Sequence, residues 1–150
     1  MTIKQYLRQS VSIREAIFYL KERIEKIRTD LEYHPIQLDD TGASHLNYRT
    51  DKLSEKMAEI ADLQTEYETK RLELEKKDAE IRQTIELLEN TEYRAVLTAR
   101  YLTENRRYPF RLNTWFAVAN MCGLDGEESA RAKHNRAVKI LEKNFICERS

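Results

Sequence analysis

Residues 114–141, TWFAVANMCGLDGEESARAKHNRAVKIL, decide the fold of the C-terminal part of the chain. An apolar stripe at helical spacing, a glycine and a second amphipathic segment predict a short helix, a tight turn and a second helix. Thr114 or Asn113 is expected to cap the first helix, and Gly123 to end it, because glycine adopts the left-handed conformation at little cost. The pattern is typical of helix-turn-helix DNA-binding units. It equally fits two packed helices at the end of an all-α protein.

The two helices are predicted to pack through small and apolar side chains. These are Trp115, Val118, Ala119 and Cys122 in the first helix, Leu124 in the turn, and Ala130, Ala137, Val138 and Leu141 in the second helix. The outward face of the second helix is basic and carries an amide. Such a face suits the major groove, because arginine can bind guanine and asparagine can bind adenine. The residues expected to contact DNA are Ser129, Arg131, Ala132, Asn135, Arg136 and Lys139.

The composition favours long helices. The 150 residues include 26 basic and 26 acidic side chains but only three glycines and two prolines. Charge is distributed unevenly, since residues 51–90 carry a net charge of −5 and residues 91–150 a net charge of +4. A positive C-terminal segment would be attracted to phosphate. No apolar run reaches the roughly 18 residues of a membrane span, so we expect a soluble cytoplasmic protein, with reduced cysteines and no membrane partner.

Apolar residues at heptad spacing near the N-terminus predict a coiled-coil helix. Thr2 is expected to cap one continuous helix whose seam positions are Ile3, Tyr6, Ser10, Ile13, Ile17, Leu20, Ile24, Ile27 and Leu31. Something must cover this seam, and a second long segment at residues 51–89 is predicted to do so in an antiparallel hairpin. The set Ile13, Ile17, Leu20, Ile24, Ile27 and Leu31 is also predicted to mediate oligomerisation, as a homodimer.

A second long helix is predicted at residues 51–89, where apolar residues recur every seven positions. They are Leu53, Ile60, Tyr67, Leu74, Ile81 and Leu88, and the complementary positions Gln64, Arg71 and Asp78 are polar. These three either fix the register of a buried seam or lie on a solvated side. A mobile loop is expected at residues 33–50. The fold class is therefore all-α, with a helical hairpin at residues 1–90 and a helix-turn-helix domain at residues 91–150.

A basic loop at residues 103–113 follows a helix that Asn90 and Thr91 are expected to begin. Arg106, Arg107 and Arg111 are predicted to touch phosphate, although the loop also fits a solvated connection. No nucleotide-binding or hydrolase motif is present, so no catalytic residue and no cofactor are predicted. The histidines and cysteines lack metal-ligand spacing, so no metal is predicted.

Three motifs resemble a family of small phage and prophage proteins of Gram-positive hosts, related to the ArpU and RinA late transcriptional regulators. NTEYRAVLTARYL at residues 90–102 is similar to the family's N-P-E-Y-R-x-L-L-x-x-R-Y-L, and TWFAVANMCG at residues 114–123 to T-W-x-x-I-A-x-x-M-G. HNRAV at residues 134–138 resembles H-x-R-A-L, while Lys133 replaces a usually apolar residue. The resemblance implies a helix-turn-helix like region 4 of sigma factors.

Two classes of function follow. The first is a phage-encoded regulator of late genes that binds double-stranded DNA. The second is a protein-interaction module that binds RNA polymerase or a repressor. A DNA-packaging protein like a small terminase subunit is a further alternative, because such proteins also join a helix-turn-helix to a coiled coil.

Overall fold

A computed structural model describes residues 1–33 and 43–149, and side chains within residues 1–32 and 51–145. Within these ranges every regular element is helical, which confirms the all-α prediction. The elements in order are α1 (Ile3–Leu7), α2 (Gln9–Tyr33), α3 (Ala43–Glu86), α4 (Thr91–Leu97), a π-helical turn (Thr98–Leu102), α5 (Trp115–Cys122) and α6 (Glu127–Arg149).

The N-terminal helix begins as predicted but is interrupted. The Thr2 side chain accepts a hydrogen bond from the Gln5 backbone N–H, and the Gln5 side chain accepts one from the Thr2 N–H, which forms a capping box. The prediction of a single continuous helix was wrong, because α1 ends at Leu7 and α2 begins at Gln9. The ψ angle of Arg8 is −7°, far from the helical value near −42°, so the chain bends there.

The second long helix starts earlier than predicted. α3 contains 44 residues, which corresponds to about 66 Å, and it begins at Ala43 rather than at residue 51. The predicted loop at residues 33–50 was therefore wrong for residues 43–50, while residues 34–42 lie outside the described residues. The helix ends at Glu86, three residues before the predicted end.

The chain divides into two compact units, and their boundaries differ from the predicted division at residue 90. One unit consists of Met1–Glu15 together with Leu72–Ser150, and we call it the discontinuous unit. The other, Ala16–Arg71, is a single stretch, and we call it the hairpin unit.

The hairpin unit pairs α2 with α3 through part of the predicted seam. Ile24, Ile27 and Ile60 form a buried cluster, and Leu31 and Leu63 pack against it. Lys21 lies 5.7 Å from the ring centroid of Tyr67, and Arg23 donates to Glu59 Oε1 at 3.2 Å. Residues further along α2 thus meet residues earlier in α3, so the two helices run antiparallel. The polar seam positions Gln64 and Arg71 are exposed, which agrees with a solvated side of the helix. The seam is thus covered in part by the chain's own α3, and oligomerisation remains a prediction.

Replacing Ile24 with glutamate should melt the hairpin unit. Ile24 is 7% exposed, and an unpaired charge at such a position costs several kcal/mol. Circular dichroism should report lost helicity, and light scattering should report any loss of self-association. The control is Lys26→Glu, which changes an exposed residue of the same helix. Unchanged ellipticity in Ile24→Glu would contradict the packing of α2 on α3. Lost helicity at constant mass would exclude a role of this seam in oligomerisation.

The core of the discontinuous unit brings the start and the end of the chain together. Its buried members are Ile3, Leu7, Ile81, Ile85, Leu88, Leu97, Tyr101, Ala137, Val138 and Leu141. Leu7 is fully buried although it lies off the predicted heptad, and it forms a buried stripe at helical spacing with Ile3, Ser10 and Arg14.

A buried arginine ties α2 to the π-helical turn inside the discontinuous unit. The guanidinium of Arg14 donates hydrogen bonds to the carbonyl oxygens of Tyr101, at 3.2 Å, and Leu102, at 2.8 Å. Asp78 Oδ1 lies 3.8 Å from the same Nη2 atom. Asp78, a predicted polar seam position, therefore supplies countercharge to a buried cation.

Candidate nucleic-acid interface

The predicted pair of C-terminal helices forms with the predicted caps. The Thr114 hydroxyl accepts a hydrogen bond from the Ala117 N–H at 3.2 Å, and Gly123 adopts a left-handed conformation with φ 66°. The Leu124 N–H donates to the Ala119 carbonyl at 2.8 Å, the bond that defines a Schellman motif. These contacts stop α5 and redirect the chain into α6.

Small side chains let α4, α5 and α6 approach closely. Val96, Ala99, Val118, Ala119 and Ala130 form one buried cluster. Trp115, Cys122 and Leu124 are partly buried and pack against it, as the sequence predicts. The inward residues Ala130, Ala137, Val138 and Leu141 of α6 are all no more than 3% exposed. The opposite face of α6 is left for solvent or for a partner.

That opposite face carries the residues predicted to contact DNA. Arg131, Ala132, Asn135, Arg136 and Lys139 are all exposed, and Ser129 is half-buried. Between residues 129 and 141 the helix contains four basic residues and no acidic one. Lys133, the departure from the family pattern, faces elsewhere and forms an ion pair with Glu92 of α4. The remaining three cations are available at the surface.

The basic loop places its three arginines at the surface and its aromatic rings beside them. Arg106, Arg107 and Arg111 are exposed. The guanidinium of Arg111 lies 4.6 Å from the ring centroid of Tyr108, and that of Arg107 lies 5.6 Å from it. Stacking on a ring restricts the motion of these cations and leaves their N–H groups free for an anion.

Asn113 anchors this loop instead of capping α5. It is 3% exposed, and its amide N–H₂ donates to the carbonyl oxygens of Ala99 and Thr103, both at 2.8 Å. Of the two predicted caps only Thr114 has that function. The loop is therefore fixed at the end that joins α5.

A polar cluster behind the exposed face of α6 was missed by sequence reasoning. His134 is 3% exposed, and its Nε2 lies 2.6 Å from the Tyr101 hydroxyl. Its ring also meets that of Trp115 edge-on, with centroids 4.9 Å apart. The helical spacing of His134 from Ala130, Ala137 and Val138 places it on the inward stripe of α6. This spacing is the sequence signal from which the burial of His134 could have been predicted.

The π-helical turn supplies the other half of that cluster. The Thr103 N–H donates to the Thr98 carbonyl at 2.9 Å, a wide turn of the kind often found at functional sites. It directs Tyr101 to His134 and Arg100 to Trp115, whose ring centroid lies 4.1 Å from the guanidinium. Arg100 also donates to the Asn113 carbonyl. Trp115 is thus held by packing and by a cation, as expected of a structural residue.

Burial controls the ionisation of this cluster. The pKa of His134 is lowered to about 4, mainly by burial and also by the nearby cations Lys4, Arg8 and Arg100, while the hydrogen bond to Asn135 opposes the shift. Burial also raises the pKa of Tyr101. At neutral pH the pair is therefore uncharged, so Nδ1–H of His134 can donate to Asn135 Oδ1 while Nε2 accepts from the Tyr101 hydroxyl.

Comparison with known proteins gives no relative: no family, curated protein or solved structure matches the chain. In the described parts of the chain, no helix is long and apolar enough to cross a bilayer. Those same parts bring together no group of three His, Cys, Asp or Glu side chains suited to a metal ion.

Proposed function

We propose that the protein binds double-stranded DNA, with α6 in the major groove, and regulates transcription of phage late genes. Arg131 and Asn135 are assigned to base edges, and Arg136 and Lys139 to phosphate. Arg106, Arg107 and Arg111 of the loop are assigned to the flanking backbone. A coiled-coil dimer would present two such helices to two half-sites.

The observation that carries the proposal is the exposed face of α6. Residues 129–141 combine three unpaired surface cations with an exposed amide and no carboxylate. An ordinary solvated helix face in a chain with equal numbers of acids and bases would mix both signs. The Schellman turn and the small residues at the α5–α6 contact support the same class of protein, and the family resemblance supplies the phage and late-gene part.

An exposed apolar pair on α5 favours the second class. Phe116 is 63% exposed and Met121 is 50% exposed. Large apolar side chains on a surface helix can be anchors for another protein. A protein-interaction module that binds RNA polymerase or a repressor is therefore the alternative.

Replacing Asn135 and Lys139 should separate base reading from phosphate binding. Asn135→Ala should cost roughly 1–3 kcal/mol of binding free energy on the cognate site and little on random DNA, because it removes base contacts. Lys139→Ala should weaken both kinds of DNA alike and lower the salt slope by about one unit, because it removes one phosphate neutralisation. Footprinting across the phage genome supplies the site, and binding isotherms at several salt concentrations give both quantities.

Lys139→Ala should keep the thermal stability of the parent protein, because its side chain is exposed. Asn135→Ala also removes the 3.2 Å hydrogen bond to His134 Nδ1, so its thermal melt is compared with that of the parent before its DNA binding is interpreted. The control is Lys76→Ala, which removes an exposed cation from α3. If neither Asn135→Ala nor Lys139→Ala changes DNA affinity in a folded protein, α6 does not read DNA. Stoichiometric capture of RNA polymerase that Phe116→Ser abolishes would then establish the alternative.

A further inference from the structure

α1 contributes two cations to the surface beside α6. Ile3 and Leu7 belong to the same buried core as Ala137, Val138 and Leu141, so α1 is packed onto α6. Lys4 and Arg8 are exposed and lie four residues apart, one turn of a helix. The apolar side of α1 thus fixes its place while its basic side stays free.

The charges of three elements converge around His134 and Trp115. Arg100 and Arg131 lie over the Trp115 ring, with guanidinium-to-centroid distances of 4.1 and 5.8 Å. Burial lowers the pKa of Arg100, and repulsion from Arg8 and Arg131 lowers it further. Lys4 and Arg8 are also close enough to His134 to act on its ionisation. Because α1 shares its buried core with α6, its cations Lys4 and Arg8 belong to the same compact unit as Arg100 and Arg131.

No carboxylate balances this cluster. Among the described side chains, ion pairs form at other positions, and none involves Lys4, Arg8, Arg100 or Arg131. Uncompensated like charges repel one another and destabilise the folded protein. Such an arrangement is expected where an external anion supplies the missing charge.

We propose that Lys4 and Arg8 of α1 contact the phosphate backbone of double-stranded DNA beside the groove that α6 enters. This inference rests on the proposed function. DNA is favoured over a small anion because α1 packs on α6, the helix whose exposed face carries Arg131, so both helices offer cations to one extended ligand. The N-terminal segment, which sequence reasoning assigned wholly to the coiled coil, is then part of the DNA-binding surface.

Charge removal on α1 tests the inference. Lys4→Gln and Arg8→Gln should each lower the slope of log affinity against log salt by about one unit, and the double variant by about two. The loss should be the same on cognate and random duplexes, since phosphate contacts carry no sequence information. Arg8→Lys should keep the parent slope, because it retains the charge. Lys76→Gln on α3 is the charge-matched control and should change nothing.

The outcomes separate this inference from the proposed function. Unchanged slopes in Lys4→Gln and Arg8→Gln, with a cognate-specific loss in Asn135→Ala, would overturn the role of α1 and retain α6 as the reading helix. Absence of DNA binding by the parent protein would overturn both. Thermal melts must match the parent, and if Arg8→Gln is destabilised, the comparison of Arg8→Lys with Lys4→Gln decides.

Discussion

Replacing Arg14 with methionine should lower the free energy of unfolding by roughly 3–5 kcal/mol, the cost of breaking a buried ion pair from one side. Only 8% of the Arg14 side chain is exposed, and it donates to two carbonyl oxygens at the end of the π-helical turn. Burial lowers the pKa of Arg14 and Asp78 opposes that shift, so the guanidinium stays charged. Methionine fills a similar space but leaves both carbonyl oxygens without their donor and the Asp78 carboxylate without its nearby countercharge. Urea denaturation followed by circular dichroism measures the loss.

Lys77→Met is the control for Arg14→Met in the comparison of unfolding free energies. It removes a surface ion pair with Glu80, 3.0 Å long, on the same helix as Asp78, and should cost less than about 1 kcal/mol. Adding Asp78→Asn to Arg14→Met should recover part of the loss, because a neutral amide needs no countercharge. Equal losses in Arg14→Met and Lys77→Met would mean that the Arg14 network contributes nothing beyond a surface pair.

Acidification should destabilise the discontinuous unit through His134. Burial holds the pKa of His134 at about 4, whereas the unfolded chain titrates near the ordinary value of 6.5. Between these values the unfolded state binds the proton and the folded state does not, so stability falls as the pH drops from 6.5 toward 4. The separation corresponds to about 3 kcal/mol at most. Above pH 6.5 the histidine adds no pH dependence.

His134→Gln isolates this contribution. Glutamine does not titrate, so the stability of the variant should vary less with pH than that of the parent, while every other ionisable group is common to both. Trp115 is a suitable optical probe, because it is the only tryptophan and its ring lies against His134. Urea unfolding at pH 7, 6, 5 and 4 gives the two profiles. Parallel profiles would show that His134 is accessible to protons in the folded state.

Helix ends and faces were predictable because they depend on neighbours along the chain. The caps at Thr2, Asn90 and Thr114 and the stop at Gly123 follow from side-chain and backbone preferences within four residues. The bend at Arg8 and the start of α3 at Ala43 were not predictable in this way. At Ala43 a weak local preference for a turn is overridden, because tertiary packing or the adjoining helix extends α3.

In the candidate site, too, the features set by local sequence were predictable and those set by tertiary contacts were not. Helical periodicity alone placed Arg131, Asn135 and Lys139 on the outer face of α6. It could not find the contacts of Tyr101 with His134, or of Arg14 with the carbonyl groups, because these depend on a π-helical turn and on residues up to 88 positions apart. The partners of a polar residue inside a core depend on residues that are distant in the sequence. Helical periodicity predicts only the helix face on which that residue lies.

The division of the chain also sets the order in which its parts can fold during synthesis. The hairpin unit is one continuous stretch, so it can form as soon as Arg71 has left the ribosome. α1 precedes the hairpin unit, yet the core that it joins is completed by Ala137, Val138 and Leu141, which are synthesised after α3, α4 and α5. Closing so long a loop is entropically costly and slow. Ile3 and Leu7 therefore reach their complete core only after α6 has been synthesised, although the hairpin unit that separates them from α6 can form earlier.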